Sequence, residues 1–144
     1  MTTPLTLDES TDRLAGNVAI DEALFAVVGS WSADEPDPGM RVVFATVSRL
    51  FGEHSQEARA VLPDSPALRA AERVVVPDDW ADRLSALDNA SGRSATLVEV
   101  VAARSERDAA TVDRLTTVAD APVLRLLART RLDHDHALAL LDQR

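Results

Sequence analysis

Cysteine, lysine and tyrosine are all missing from this chain of 144 residues. Without cysteine there are no disulfides and no thiolate chemistry. Without lysine there is no Schiff-base chemistry, and all fifteen basic residues are arginines. Without tyrosine there are no tyrosyl radicals and no phenol acid–base steps. These absences exclude several kinds of covalent and redox catalysis.

A long apolar run and a basic patch are also lacking. The stretch Met1–Glu9 has neither the positive region nor the apolar region of a signal peptide, and no apolar run approaches the roughly 20 residues of a membrane span. The net charge of −9 repels phosphate backbones, and the five glycines are too scattered for a phosphate loop. The sequence therefore predicts a cytoplasmic protein that binds neither membranes nor nucleic acids.

Helix-forming residues dominate what is present. Alanine and leucine are abundant and aromatic residues make up only 3%, which favours helix over sheet. Thr6 and Glu9 have the spacing of a capping box. Apolar residues recur every three to four positions along four stretches. These stretches predict long helices over about 7–31, 40–62, 94–118 and 121–142.

The segment between the second and third long helices is less regular. Short helices are predicted over about 66–72 and 77–87, on either side of an extended Val74–Val76 segment. Trp31 and Trp80 are expected to pack on the ends of the bundle. Short links make neighbouring helices antiparallel, whereas a crossover of roughly thirty residues allows the second and third long helices to run parallel. The prediction is one all-α domain over 1–144, a four-helix bundle with a long crossover.

This order resembles that of ferritin-like four-helix proteins. The resemblance covers most of the chain and rests on the helix order, the crossover and two segments, Phe51-Gly52-Glu53-His54 and Asp133-His134-Asp135-His136. A third stretch, Val118–Arg125, is similar to uncharacterised actinobacterial proteins of this bundle type. Ferritin-like carboxylate proteins take one glutamate from each of two helices and a Glu-x-x-His pair from each of the other two, and hold two metal ions in the bundle.

The metal motifs are incomplete in this chain. Asp133 and His136 keep acid-x-x-His spacing, but Phe51 stands three residues before His54. Iron or manganese would suit the mixed oxygen and nitrogen donors that remain. The candidate ligands are Asp21, Glu22, His54, Glu57, Asp108, Asp133 and His136, with His134 as an alternative to His136.

Three functions remain open. The favoured one is a non-enzymatic interaction module without a cofactor, which self-associates as a dimer or binds a protein partner. In this case His54 is a core residue hydrogen-bonded to Asp21 or Asp108. The alternatives are a metalloprotein that oxidises a substrate or handles metal, and a bundle that binds a small apolar ligand with His54 as the polar contact.

The arginines of the last two long helices also have two interpretations. They are Arg104, Arg107, Arg114, Arg125, Arg129 and Arg131. An anion-binding patch is one interpretation, but the interleaved acids Glu106, Asp108, Asp113 and Asp133 favour a solvated, salt-bridged face. The apolar stripe of the third long helix also passes through Arg104 or Ser105.

Overall fold

A computed structural model describes residues 2–143, which contain five α-helices and no strand. This confirms the all-α prediction. The helices are α1 (Leu7–Asp34), α2 (Pro38–Val61), α3 (Asp78–Asp88), α4 (Arg93–Val112) and α5 (Ala121–Asp142), and one turn of 3₁₀ helix spans Ala70–Arg73.

Local interactions fix the start of α1 where the sequence predicts it, and they start α2 two residues before the predicted Met40. At α1 the Thr6 hydroxyl accepts from the Glu9 amide at 3.1 Å, and the Glu9 carboxylate accepts from the Thr6 amide at 2.8 Å. This is the predicted capping box. At α2 the Asp37 side chain accepts from the Met40 amide at 3.1 Å, and Pro38 occupies the first turn.

α1 is the central helix of the bundle. Every residue from Leu14 to Asp21 is buried, so α1 has neighbours on all sides over these two turns. α2 packs along it, and the 3₁₀ turn and α3 of the crossover cover another side. A Cβ on Gly16 would lie 2.8 Å from Nη2 of Arg107 and 3.0 Å from Cγ of Pro77. Glycine at this position therefore leaves room for the Arg107 side chain and for the Pro77 ring against α1.

Polar contacts give the direction of α2 and α4 relative to α1. The Ser48 hydroxyl of α2 donates to the Phe25 carbonyl at 2.8 Å, and the link between α1 and α2 is only three residues long. Arg93, at the start of α4, pairs at 2.7 Å with Asp34 at the end of α1, while Arg104 pairs with Asp21 further back along α1. Both α2 and α4 therefore run antiparallel to α1.

α5 lies against α2 and α4. His54 of α2 contacts Asp133 at 2.8 Å, and one turn later Glu57 pairs with Arg129. The residue numbers rise along α2 as they fall along α5, so these two helices are antiparallel. The apolar core fills the space between the helices and includes Ile20, Leu24, Val28, Trp31, Phe44, Val47, Phe51, Trp80, Leu87, Leu97, Val101 and Leu141.

The two tryptophans are core residues in the structure. Trp31 meets Phe44 edge to face, with ring centroids 5.4 Å apart, and the guanidinium of Arg93 lies 5.3 Å from its ring. Trp80 is equally buried and carries Arg83 at 5.4 Å from its ring. Both side chains therefore contribute to the main apolar cluster, beyond the end-packing role expected of them.

Two predicted helix boundaries were wrong. α4 ends at Val112, six residues before the predicted end. The Asp120 carboxylate accepts from the Thr116 amide at 2.8 Å, which folds 116–120 into a turn and leaves Val118 91% exposed. The first short helix is reduced to the 3₁₀ turn at Ala70–Arg73, and the residue before it, Arg69, has φ of 51°.

α1 also bears on the membrane question. Within residues 2–143 it is the one helix long and apolar enough to span a bilayer by length and composition. From the sequence we expected no stretch that is long and apolar enough to span a membrane, whereas α1 meets this criterion. More than half of its most apolar window is buried inside the protein, as is common for core helices.

Candidate functional site

A fully buried arginine lies at the centre of the bundle. Arg104 of α4 is 1% exposed. Its Nε donates to Oδ1 of Asp21 at 2.8 Å, and its Nη2 donates to Oδ2 at 3.2 Å. Its Nη1 donates to Asp108, one turn further along α4. One guanidinium therefore connects a carboxylate of α1 with a carboxylate of its own helix.

Neighbouring polar groups complete the coordination of these carboxylates. The Thr130 hydroxyl of α5 donates to Oδ2 of Asp108 at 2.9 Å, and the Asn17 amide donates to Oδ1 at 3.4 Å. All four carboxylate oxygens of Asp21 and Asp108 thus accept at least one hydrogen bond. Such pairing is what allows ionisable groups to be buried at all.

Burial and charge act in opposite directions in this cluster. Burial raises the pKa of the Asp21 carboxyl, and the guanidinium of Arg104 opposes that rise. For Arg104, burial acts to lower the pKa, but the carboxylates of Asp21 and Asp108 outweigh burial and hold the pKa above its ordinary value. The arginine is therefore permanently charged.

Two histidine rings adjoin this ion cluster. Nε2 of His54 lies 2.8 Å from Oδ2 of Asp133. The His134 ring stacks on Phe51 with centroids 5.7 Å apart, and it meets the His54 ring edge to face at 5.5 Å. Both nitrogens of His134 and Nδ1 of His54 are buried without a hydrogen-bond partner among residues 2–143.

His134 is a neutral ring at ordinary pH. Burial, followed by the positive charge of Arg104, the nearby His54 and Arg131, lowers the pKa of His134 to about 2. A protonated ring would place a second cation beside the guanidinium in a dry interior, which is costly. His134 therefore serves as an aromatic packing residue with two unpaired nitrogens.

The structure distributes the seven candidate metal ligands over separate places. Asp21 and Asp108 pair with Arg104, His54 with Asp133, Glu22 with Arg59, and Glu57 with Arg129, while His136 is exposed. Within residues 2–143, no group of three or more histidine or acidic side chains is placed to hold a metal ion.

The acid-x-x-His motif, Asp133 and His136, does not form a common site in the structure. Asp133 points toward His54, but His136 faces solvent and His134 is the histidine that enters the interior. Residues two apart on a helix project about 200° apart, so only one of the two histidines can face the core. The bundle interior selects His134, whose spacing from Asp133 does not suit a shared ion.

Arg104 is the central residue that the preferred sequence interpretation missed. The prediction of a solvated arginine face was wrong for Arg104, and Arg107 is only partly exposed. The available signal was the apolar stripe of α4, which passes through Arg104 or Ser105. Only the neighbouring helices decide that the charged member of this pair is the buried one.

The surface grooves lie away from the histidines. His54 lines none of five surface grooves within residues 2–143, so none of these five is the ligand site expected beside it. We compared the chain with models of known families, with curated proteins and with solved structures, and none matches it.

Proposed function

We propose that this protein is a non-enzymatic helical bundle of ferritin-like connectivity that acts as an interaction module and pairs with a second copy of itself. The observation that carries the proposal is the position of Arg104. Ferritin-like proteins hold their metal ions between carboxylates in the bundle interior. Here the cation between Asp21 and Asp108 is a side chain of the protein itself.

The helix directions support the proposed connectivity. α2 and α4 are each antiparallel to α1, as Ser48–Phe25 and Arg93–Asp34 indicate. They therefore run parallel to one another and need a long connection. The crossover with the 3₁₀ turn and α3 supplies it. Two hairpins joined in this way have the ferritin-like order of directions.

The pairing of Arg104 also argues against metal chemistry in the interior. An incoming ion that took over Asp21 and Asp108 would leave a buried guanidinium without a counter-ion. An unpaired buried charge costs about 3–5 kcal/mol. We therefore infer that the buried ion cluster stabilises the fold and that partners bind at the surface.

The outer face of α1 and α2 is the proposed interface. Phe25 of α1 is 49% exposed and Val42 of α2 is 66% exposed. On α2, Ala45 lies one turn from Val42 and on the same side; on α1, Ala33 lies about two turns from Phe25; both alanines are exposed. We call these four residues the α1–α2 strip.

A second copy of the chain fits this strip because the charged residues beside the strip include both signs. A two-fold interface brings the same surface together, so that surface must be complementary to itself. Arg49 and Glu53 stand beside the strip on α2 and form only a loose pair at 3.7 Å. In a two-fold pair each of them can meet its opposite on the other copy, with the apolar residues between them.

Light scattering over a concentration series tests the association. We expect the wild-type protein to form dimers and Val42→Glu to weaken them, since a charge in the strip must be desolvated. The matched control is Leu132→Glu, because Leu132 is 69% exposed on α5 and lies outside the strip. A wild-type protein that stays monomeric at every concentration contradicts self-association.

Elemental analysis tests the metal question separately. Untagged protein is incubated with iron or manganese, desalted and analysed. We expect less than about a tenth of an equivalent of either metal, because a preformed site would retain its ion. Stoichiometric metal that is lost in His54→Ala would overturn the proposal in favour of the metalloprotein.

A further inference from the structure

Three arginine side chains converge on a groove that the proposed interaction surface does not use. The groove has a volume of about 330 Å³ and lies where the first turns of α1, the second half of α4 and the crossover meet. Its lining residues are Leu5, Glu9, Asp12, Arg13, Pro77, Arg107 and Arg114. We call it the arginine groove.

The walls of the groove are held in place by backbone contacts. The Leu5 amide donates to the Arg114 carbonyl at 2.8 Å. The guanidinium of Arg114 donates back to the Thr3 carbonyl at 3.0 Å. The N-terminal segment is thereby tied to the residues just after α4. A site that is already formed loses less entropy when a ligand binds.

Arg107 is the central cation of the groove and lacks a counter-ion. Its Nε donates to Asn17 at 2.7 Å, and Nη2 donates to the Arg13 carbonyl at 3.3 Å. Its other three N–H groups have no hydrogen-bond acceptor among residues 2–143, and it forms no ion pair with them. Burial, with further contributions from Arg13 and Arg104, lowers the pKa of Arg107 to about 10.

The acidic side chains at the groove are already engaged elsewhere. Glu9 is held by the Thr6 amide in the capping box of α1. Asp12 pairs at 3.0 Å with Arg73, which lies outside the groove lining. Asp79 and Asp108 only partly offset the effects that lower the pKa of Arg107.

The other two arginines, Arg13 and Arg114, add further positive charge to the groove. Within the described part of the chain, neither Arg13 nor Arg114 forms an ion pair. The Arg114 guanidinium donates to the Thr3 carbonyl, and its positive charge helps to lower the pKa of Glu9. Positive charge therefore exceeds the acidic charge available to neutralise it. This local excess stands out in a chain of net charge −9.

We propose that the arginine groove binds a small oxyanion, a phosphate or carboxylate group, with Arg107 as the main donor and Arg13 and Arg114 at its sides. A guanidinium presents parallel N–H groups that match two oxygens of such an anion. The anion would satisfy the unused donors of Arg107 and supply its missing counter-charge. The volume is at the lower end for small-molecule sites, and the acidic surface around it disfavours a long polyanion.

Calorimetric titration tests the site with two probes, inorganic phosphate and citrate, at constant ionic strength set with sodium chloride. We expect saturable binding of one equivalent by the wild-type protein. Arg107→Gln should weaken it at least about tenfold, because a charge-assisted hydrogen-bonding partner is lost. The relative affinity of the two probes distinguishes a phosphate site from a carboxylate site.

Further variants keep the test decisive if Arg107→Gln does not fold. Arg13→Gln and Arg114→Gln remove charge from the sides of the groove and should each weaken binding. The matched control, Arg125→Gln, removes the same charge from an exposed position on α5 and should leave binding unchanged. The proposal is overturned if the wild-type protein is saturated by neither phosphate nor citrate at concentrations up to about 10 mM. Equal weakening by the control variant overturns it as well.

Discussion

Replacing Arg104 with methionine tests the physical core of this structure most directly. Methionine retains an unbranched chain but removes the guanidinium that connects α1 to α4. Asp21 and Asp108 then remain buried, at 1% and 0% exposure, without their common cation. Breaking one side of a buried ion pair costs about 3–5 kcal/mol. Since a domain is stable by about 5–15 kcal/mol, Arg104→Met should lose at least about a fifth of its free energy of unfolding.

The loss of stability in Arg104→Met depends on the two carboxylates that remain buried without a cation. The control is therefore a variant in which these carboxylates are neutralised as well. Combining Arg104→Met with Asp21→Asn and Asp108→Asn leaves no buried charge in the cluster. The amide at position 108 can still hydrogen-bond to Thr130 and Asn17. We expect this triple variant to recover most of the loss, because neutral replacements of buried ion pairs are often tolerated.

Urea unfolding followed by tryptophan fluorescence measures these differences, since Trp31 and Trp80 are both buried in the core. The pH dependence adds a second check. Burial raises the pKa of Asp21, and removal of Arg104 should raise it further. A carboxyl with a raised folded-state pKa stabilises the fold at low pH and loses that contribution as pH rises through the folded value. Arg104→Met should therefore be closer to wild type at pH 4 than at pH 7.

One result would refute this reasoning. If Arg104→Met costs less than about 1 kcal/mol at pH 7, the carboxylates are not held in a dry interior, because exposed pairs contribute that little. The same conclusion would follow if the triple variant were no more stable than Arg104→Met. In either case Arg104 would not be the internal counter-ion of two dry, buried carboxylates.

Three other predictions follow from the same geometry. His134→Phe should be more stable than wild type by about 1–2 kcal/mol at pH 7 in urea unfolding, since two buried, unpaired nitrogens are removed; a loss instead would indicate that those nitrogens bind a group in the native protein. Because the pKa of His134 falls from 6.5 to about 2 on folding, the unfolded state binds the extra proton, so this advantage should grow by about 1.4 kcal/mol per pH unit between about pH 6 and 4. Gly16→Ala should lower the melting temperature because its Cβ meets the Pro77 ring and Arg107. In Gly52→Ala the Cβ would lie 2.9 Å from the Phe25 ring, but this ring is half-exposed and can turn toward solvent, so the loss should be smaller. Equal effects would contradict the close approach at Gly16. In Arg104→Ala, manganese should raise the melting temperature by acting as counter-ion to Asp21 and Asp108, with no rise in wild type; an equal rise in both would place the ion elsewhere.

The helices are largely readable from the sequence because their determinants are local. The capping box at Thr6 and Glu9 acts over one helical turn, and the structure confirms it. The Asp37 cap and Pro38, which start α2, are equally local but were not identified from the sequence. α4 is the exception, since the turn formed by Thr116 and Asp120 ends it early. Both residues are visible in the sequence, but their hydrogen bond competes with a helix pattern that continues past Val112.

The interior site was predictable only in part. Helical periodicity places Asp21, His54 and Asp108 on inward faces, and all three are buried. It does not identify the partner of each side chain. His54 was expected to meet Asp21 or Asp108, but it contacts Asp133, while Arg104 holds the other two carboxylates. Pairings across helices depend on how far each helix is shifted and rotated against its neighbours, which periodicity does not specify.

The sequence by itself determined an all-helical chain, its main breaks and a set of inward polar positions, because these depend on contacts within a few residues. Only the tertiary structure decided that Arg104 is buried rather than solvated, that His134 and not His136 enters the core, and that Gly16 lets Arg107 approach α1. Each of these depends on the packing of helices distant in sequence, since a buried charge is tolerated only where another helix supplies its partner.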